Sequence, residues 1–347
     1  LTPAILLVAL VYSAGSASPA RAAVRIMTAQ TVYLHAHAHN DYLNSSPLTG
    51  ALSHGFTSVE ADVWVDGDRL VLCHDMTETT CQDDTGNSEG GARSIPKREF
   101  VSTYLAPLLA QVSTNQGHVY PEYSGRFLLL IEIRCKKKDQ SACAIDQPVR
   151  TWQEIEQQLQ HYQSTYHGPG QLFSAYRDGH THPGIIQPLI TGGFNAQKDS
   201  SGKSVRDHIS DPTGSRITSL DGVVSDVTNQ TPTWITPLVS LSWSETTDNG
   251  CGGGELSPGE LTAVRAAHAP GKNHYLIRIY GEPDCPHRAD TTKDHDRLAE
   301  YQQWRESAWQ TLHGLRDGAG NPRAVDYISS NHLYYLPQWL SAVSWVS

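Results

Sequence analysis

The chain has 347 residues, 38% of them hydrophobic and 18% charged, without a long biased tract. That composition excludes a disordered or fibrous molecule and leaves room for one large α/β barrel. Its formal net charge is −10, from 36 acids against 26 lysines and arginines, a sign that repels nucleic acid and anionic headgroups.

Residues 4–12 (AILLVALVY) form an apolar run, too short for a bilayer, which takes about 20 apolar residues to span. Ala20-Arg21-Ala22 follows as an A-x-A cleavage pattern. The expectation is a secretory signal over 1–22, a mature barrel over 23–347 with no transmembrane segment after signal removal, and a secreted product. A buried helix of the mature protein is the alternative. The six cysteines fall as near neighbours, Cys73 with Cys81, Cys135 with Cys143 and Cys251 with Cys285. Short disulfide loops are the simplest arrangement and an oxidising compartment would preserve them, although other pairings are open.

Further along, strand-like and helical patterns alternate. Residues 31–37 (TVYLHAH) read as a strand, 48–54 as a short helix ended by Gly55, and 57–65 (TSVEADVWV) as the next strand. A turn at Asp66-Gly67-Asp68 leads to a strand over 69–74. Residues 100–112 have helical spacing, and 126–134 (RFLLLIEIR) is apolar enough for a strand covered on both faces. A helix over 149–166 and strands over 184–191, 220–226 and 237–243 follow, with 192–212 as a long polar surface loop. Ser257-Pro258-Gly259-Glu260 is a capping-box pattern that opens a helix to about residue 268. A strand over 275–280, a helix over 296–315 and a strand over 324–329 complete the series. Some eight strand–helix repeats predict a single TIM-like (β/α)8 barrel. A doubly wound sheet is the competitor, disfavoured because no glycine-rich phosphate loop follows the first strand.

Polar residues at strand ends carry the chemistry. Glu60 and Asp62 are two apart on one strand and therefore share a face. Two buried carboxylates so placed repel each other unless a cation lies between them. Glu132, near the end of another apolar strand, can reach the same mouth, and all-oxygen ligation favours Mg²⁺ or Ca²⁺ over zinc. His35, His37 and His39 alternate at the end of the first strand, and His74-Asp75 closes the hairpin after the acidic one. Two imidazoles facing a shared centre can act as base and acid near neutral pH. His39, where the strand turns into a loop, is the first choice. Trp243 ends a strand and can line the mouth or pack in the core.

The ordered block His37-Ala-His39-Asn40-Asp41-Tyr42, Pro47-Leu48, Ala51-Leu52, Gly55, Ser58-Val59-Glu60-Ala61-Asp62-Val63 and His74-Asp75 resembles the fungal altered-inheritance-of-mitochondria protein 6 family and its bacterial relatives. More distantly it resembles glycerophosphodiester phosphodiesterases and phosphatidylinositol-specific phospholipases C. The resemblance is strong over residues 35–135 and weaker beyond. It implies a TIM-like barrel with Glu60, Asp62 and Glu132 on a divalent metal, His39 (or His37) and His74 as acid and base, and a small-molecule or lipid phosphodiester as substrate. Those phosphodiesterases carry His-Arg-Gly where this chain has His39-Asn40-Asp41, so their phosphate-contacting arginine has no counterpart there. Arg134 or Arg278 is the expected substitute, with Asn40, Asp41 and Trp243 as further substrate contacts. A Cys73–Cys81 loop beside His74 would resemble the constrained loop of sphingomyelinase D toxins. A non-catalytic barrel that binds a phosphorylated ligand or partner is the second reading. A two-carboxylate glycosidase ranks last, because Glu60 and Asp62 are too close along one strand to span a sugar cleft.

Overall fold

The computed structural model describes residues 30–76, 81–83, 93–134, 147–192, 197–245, 254–281, 295–322 and 324–345. The expected signal segment and the cysteines Cys135, Cys143, Cys251 and Cys285 lie outside the described residues.

Among the described residues, eight parallel strands close on themselves. They are β1 (Tyr33–Ala38), β2 (Phe56–Asp66), β3 (Phe127–Ile133), β4 (Ile186–Gly192), β5 (Ser219–Gly222), β6 (Leu238–Ser242), β7 (Leu276–Tyr280) and β8 (Tyr327–Ser330). Each pairs with its neighbour in sequence, and β1 pairs with both β2 and β8, which makes the sheet a barrel. Helices α1 (Thr49–Ser53), α2 (Ala106–Thr114), α3 (Gln147–Thr165), α4 (Val205–Ile209), α5 (Val224–Thr228), α6 (Pro258–Ala267), α7 (His295–Gly314) and α8 (Tyr335–Ala342) occupy the connections and the C-terminal end. No helix of the described residues is long and apolar enough to cross a membrane.

Strand alternation sorts side chains into two environments. Outward residues such as Val59, Ala61, Val63, Leu129 and Ile131 join the large core between strands and helices. Inward residues Leu128, Leu130, Leu189, Leu238 and Tyr327 form a separate apolar cluster inside the barrel. Register then dictates what lies above that plug. Glu60 pairs with Leu130, and Asp62 pairs with Glu132 one step further on. Glu132 pairs with Thr191, Ser240 with Arg278, and His37 with Ser329. The upper interior is therefore polar and charged, at the end of the barrel where strands hand over to loops.

Two expectations need correction and one holds. Residues 220–226 are strand only as far as Gly222. Asp226 then accepts a hydrogen bond from the Val223 backbone N–H at 2.9 Å and starts α5, so an N-terminal helix signal overrides a β-rich sequence. The polar segment 192–212 contains α4, opened by a reciprocal Ser204–Asp207 capping box. The strand before His74 (Arg69–Leu72) forms the hairpin expected after the acidic strand. It runs antiparallel to β2, with Val63 opposite Leu72.

Candidate active site at the barrel mouth

The β1–α1 connection is braced by several side-chain hydrogen bonds. Asn40 adopts a left-handed conformation (φ 48°) and turns the chain sharply after β1. Asp41 is buried and accepts from the Leu48 backbone N–H at 2.6 Å, the Tyr104 hydroxyl at 2.8 Å and Asn44 at 3.3 Å. Burial lifts its pKa to about 6 against those three donors. Arg98 donates to the carbonyls of Tyr42 and Asn44, each at 2.8 Å. Asp41 is thus a loop anchor whose oxygens are taken by protein groups. The expected substrate contact by Asp41 has no free acceptor behind it. Asn40 packs beside His39 and also lies near the Tyr42 hydroxyl.

The three alternating histidines, His35 and His37 on β1 and His39 just after it, separate by depth. His35 is lowest, its Nδ1 on the Asp326 carbonyl at 2.7 Å and its ring stacked on Trp345. His37 is fully buried. Its Nε2 accepts from Arg278 Nη1 at 2.9 Å, so its Nδ1 carries the proton and donates to Ser58 Oγ at 2.6 Å. Burial, reinforced by Arg278, depresses its pKa to about 3 and keeps the ring neutral. His39 lines the cavity. Its Nδ1 pairs with Asn331 Oδ1 at 3.1 Å, which leaves Nε2 facing Glu60 Oε2 at 3.5 Å.

Glu60, Asp62 and Glu132 each offer an oxygen, all within 4.8 Å of one another. Burial opposes charge on Glu60, but the Arg278 guanidinium at 3.4 Å, with His39 and His37, holds its carboxyl well below the usual range. Asp62 behaves oppositely. Burial and then the Glu132 carboxylate push it well above the usual range, with Glu60 adding to the push. Its Oδ2 accepts from the Tyr42 hydroxyl at 2.9 Å and lies 3.4 Å from Arg134 Nε. Its Oδ1 is buried and has no hydrogen-bond partner.

Arg134 fans across this group. It donates to Glu132 Oε1 at 2.6 Å, to the His74 carbonyl at 3.2 Å and to His74 Nε2 at 2.9 Å. His74 Nε2 is therefore an acceptor in this arrangement, and His74 is not among the residues that line the cavity. A disulfide joins Cys73 to Cys81 next to it, with Cα atoms 5.4 Å apart. Arg278 ties the opposite wall, bridging Glu60 to Asp221 Oδ2 at 3.2 Å and donating to Ser240 Oγ at 2.6 Å.

The cavity has a volume of about 290 Å³ and is lined by His39, Glu60, Glu132, Thr191, Gly192, Asp221, Gly222, Val223, Ser240, Arg278 and Tyr280. Gly192 has φ +80°, and a Cβ there would lie 2.5 Å from Glu132 Cγ, so the missing side chain makes room for the acid. Trp243 lies elsewhere. It points outward from the end of β6 into the core between strands and helices, which corrects the expectation that it lines the mouth. Asp221, Ser240, Thr191 and Tyr42 were not singled out from the sequence. The rule that found Glu132, an acid closing an apolar strand, applies equally to Leu220-Asp221-Gly222.

A divalent cation fits the donor set. Four carboxylates (Glu60, Asp62, Glu132, Asp221) face two guanidiniums (Arg134, Arg278) with His37 neutral, a local excess of negative charge. The buried Asp62 Oδ1, which has no hydrogen-bond partner, is the oxygen such an ion would engage.

Residues 25–88 match the family model described as "AIM6-like phosphodiesterase domain". Over 88 residues the chain is 49% identical to Altered inheritance of mitochondria protein 6 of Kluyveromyces lactis, a match covering 25% of this chain and 18% of that protein. The matched part is thus under a fifth of the relative's length. Residues 25–88, which supply His37, His39, Glu60, Asp62 and His74, are thus the part of the chain that is similar to an AIM6-like phosphodiesterase domain.

Proposed function

We propose that this chain is an exported, divalent-metal-dependent phosphoric diester hydrolase acting on glycerophosphodiester or phospholipid-like substrates. The observation that carries the reading is the convergence of Glu60, Asp62 and Glu132 within 4.8 Å beside a histidine whose Nε2 faces the cavity. Mg²⁺ or Ca²⁺ held by these three carboxylates would supply the positive charge that offsets charge growing on the phosphoryl oxygens. His39 Nε2 takes the proton of the attacking hydroxyl, its ring fixed by Asn331 on the other nitrogen. His37 stays neutral and orients Arg278. His74 protonates the leaving alkoxide. That role needs Arg134 to release His74 Nε2 and the freed nitrogen to take up a proton from solvent before the leaving group departs, and an incoming phosphate favours the release because it is a far stronger guanidinium partner than a neutral imidazole. The Cys73–Cys81 bridge supports export into an oxidising compartment.

The test is turnover of glycerophosphocholine, lysophospholipids and bis(p-nitrophenyl) phosphate with Mg²⁺ or Ca²⁺. His39→Ala is expected to lower kcat by about 100-fold or more. Absence of turnover on all three substrates, with metal bound, contradicts the reading. One observation favours a second reading, a barrel that binds a phosphorylated ligand without cleaving it. Both arginines are already paired with carboxylates. In that case ligand affinity survives His39→Ala and no product forms.

A further inference from the structure

Asp221 is a buried carboxylate with one oxygen committed and one idle. Oδ2 accepts from Ser240 Oγ at 2.7 Å and from Arg278 Nη2 at 3.2 Å. Ser240 in turn accepts from Arg278 Nε, so Arg278, Ser240 and Asp221 form a closed triangle that fixes the carboxylate plane. Oδ1 is buried and closes no well-formed hydrogen bond, although the Thr191 hydroxyl lies near the carboxylate and both residues line the cavity. Leaving such an oxygen unpaired is costly, and a fold tolerates the cost where a ligand completes the bond.

The chemistry of that ligand follows from the surroundings. Asp221 stands outside the group of acids able to share one ion, and Arg278 lies between it and Glu60. A phosphate group is repelled by a carboxylate and belongs on the acid-triad side, where a cation would receive it. Because Arg278 already balances the charge of Asp221, the idle oxygen calls for a neutral donor. We propose that Asp221 Oδ1 accepts a hydrogen bond from a free hydroxyl on the alcohol portion of the substrate, making Asp221 the residue that selects hydroxylated phosphoesters over their deoxy counterparts. This deepens the phosphodiesterase reading and rests on its placement of the phosphate.

Calorimetric binding to the metal-loaded protein tests the idea without requiring turnover. The probes are glycerol 3-phosphate, propyl phosphate, which lacks the hydroxyls, and phosphoethanolamine, which carries an ammonium instead. The wild-type chain should bind glycerol 3-phosphate about tenfold tighter than propyl phosphate, the discrimination typical of one hydrogen bond to a charged group. Asp221→Leu should abolish that ratio, and Asp221→Asn, which preserves shape if the leucine variant fails to fold, should reduce it at least threefold, with propyl phosphate affinity kept. Three outcomes overturn the proposal: equal wild-type affinities for the two probes, equal losses for both in the variants, or a preference for phosphoethanolamine that Asp221 substitution removes. Failure of the phosphodiesterase reading registers separately, as absence of bis(p-nitrophenyl) phosphate turnover by the wild type.

Discussion

Asp62 and Arg134 are best considered together, because each sits where the other's charge matters most. Arg134 spans Glu132 and Asp62 and reaches His74, so its guanidinium occupies part of the space a cation would use. Replacing it with glutamine should therefore tighten Mg²⁺ or Ca²⁺ binding severalfold while lowering Tm in chelator, since buried Asp62 and half-buried Glu132 lose their counter-charge. Calorimetry and thermal melts with and without metal check both signs. Looser metal binding in Arg134→Gln would mean that the arginine organises the acids and does not compete for them. Asp41 yields a pH prediction. Burial raises its folded pKa to about 6, above the 3.8 of a free aspartate, so the folded state holds a proton that the unfolded chain releases between those values. The associated stabilisation is fully present below about pH 4 and fades as pH rises through 6, by roughly 3 kcal/mol. Asp41→Asn should flatten that part of the stability profile relative to wild type, as measured by denaturant unfolding at pH 4, 5, 6 and 7. Parallel profiles for the two proteins would contradict the assignment.

At the scale of elements, strand register does most of the positioning. Asp62 opposite Glu132 on neighbouring parallel strands creates the acid pair, and Gly192 at the end of β4 leaves space for the glutamate. Gly192→Ala should cost about 1–3 kcal/mol, from the positive φ and a Cβ that meets Glu132, and should weaken divalent-ion affinity as the acid is pushed aside. A melt shift with intact metal binding would show that Glu132 has another route to its place. Helix α3 steadies β5 in a comparable way. Glu156, buried on that helix, accepts from the backbone N–H groups of Ile217 and Thr218 at 2.9 and 2.7 Å, just before Asp221. Glu156→Ala leaves both donors unpaired and should destabilise the protein by about 3 kcal/mol.

For the molecule as a whole, the barrel and the acid triad were readable in the sequence for one reason. Both depend on strand periodicity, and strands such as RFLLLIEIR declare burial on two faces and end in charge. The ordered block from His37 to Asp75 added the histidines. What periodicity could not supply was the pairing of polar atoms across the barrel. The neutral, doubly bonded state of His37 depends on Arg278, 241 residues away, and the orphaned oxygen of Asp221 depends on Ser240 and Arg278 taking the other one. The same limit explains Trp243, whose side of the strand follows from where β6 begins. It also explains His74, which follows the hairpin strand as expected but whose bond to Arg134, 60 residues away, no periodicity shows.

The central claim is most directly tested by titrating metal-free protein with Mg²⁺ and Ca²⁺ in a calorimeter, wild type beside Asp62→Asn. The expected result is saturable binding of one ion per chain, weakened at least tenfold by the substitution. A flat titration of the wild type at millimolar ion, or equal affinity in the two proteins, would contradict the account.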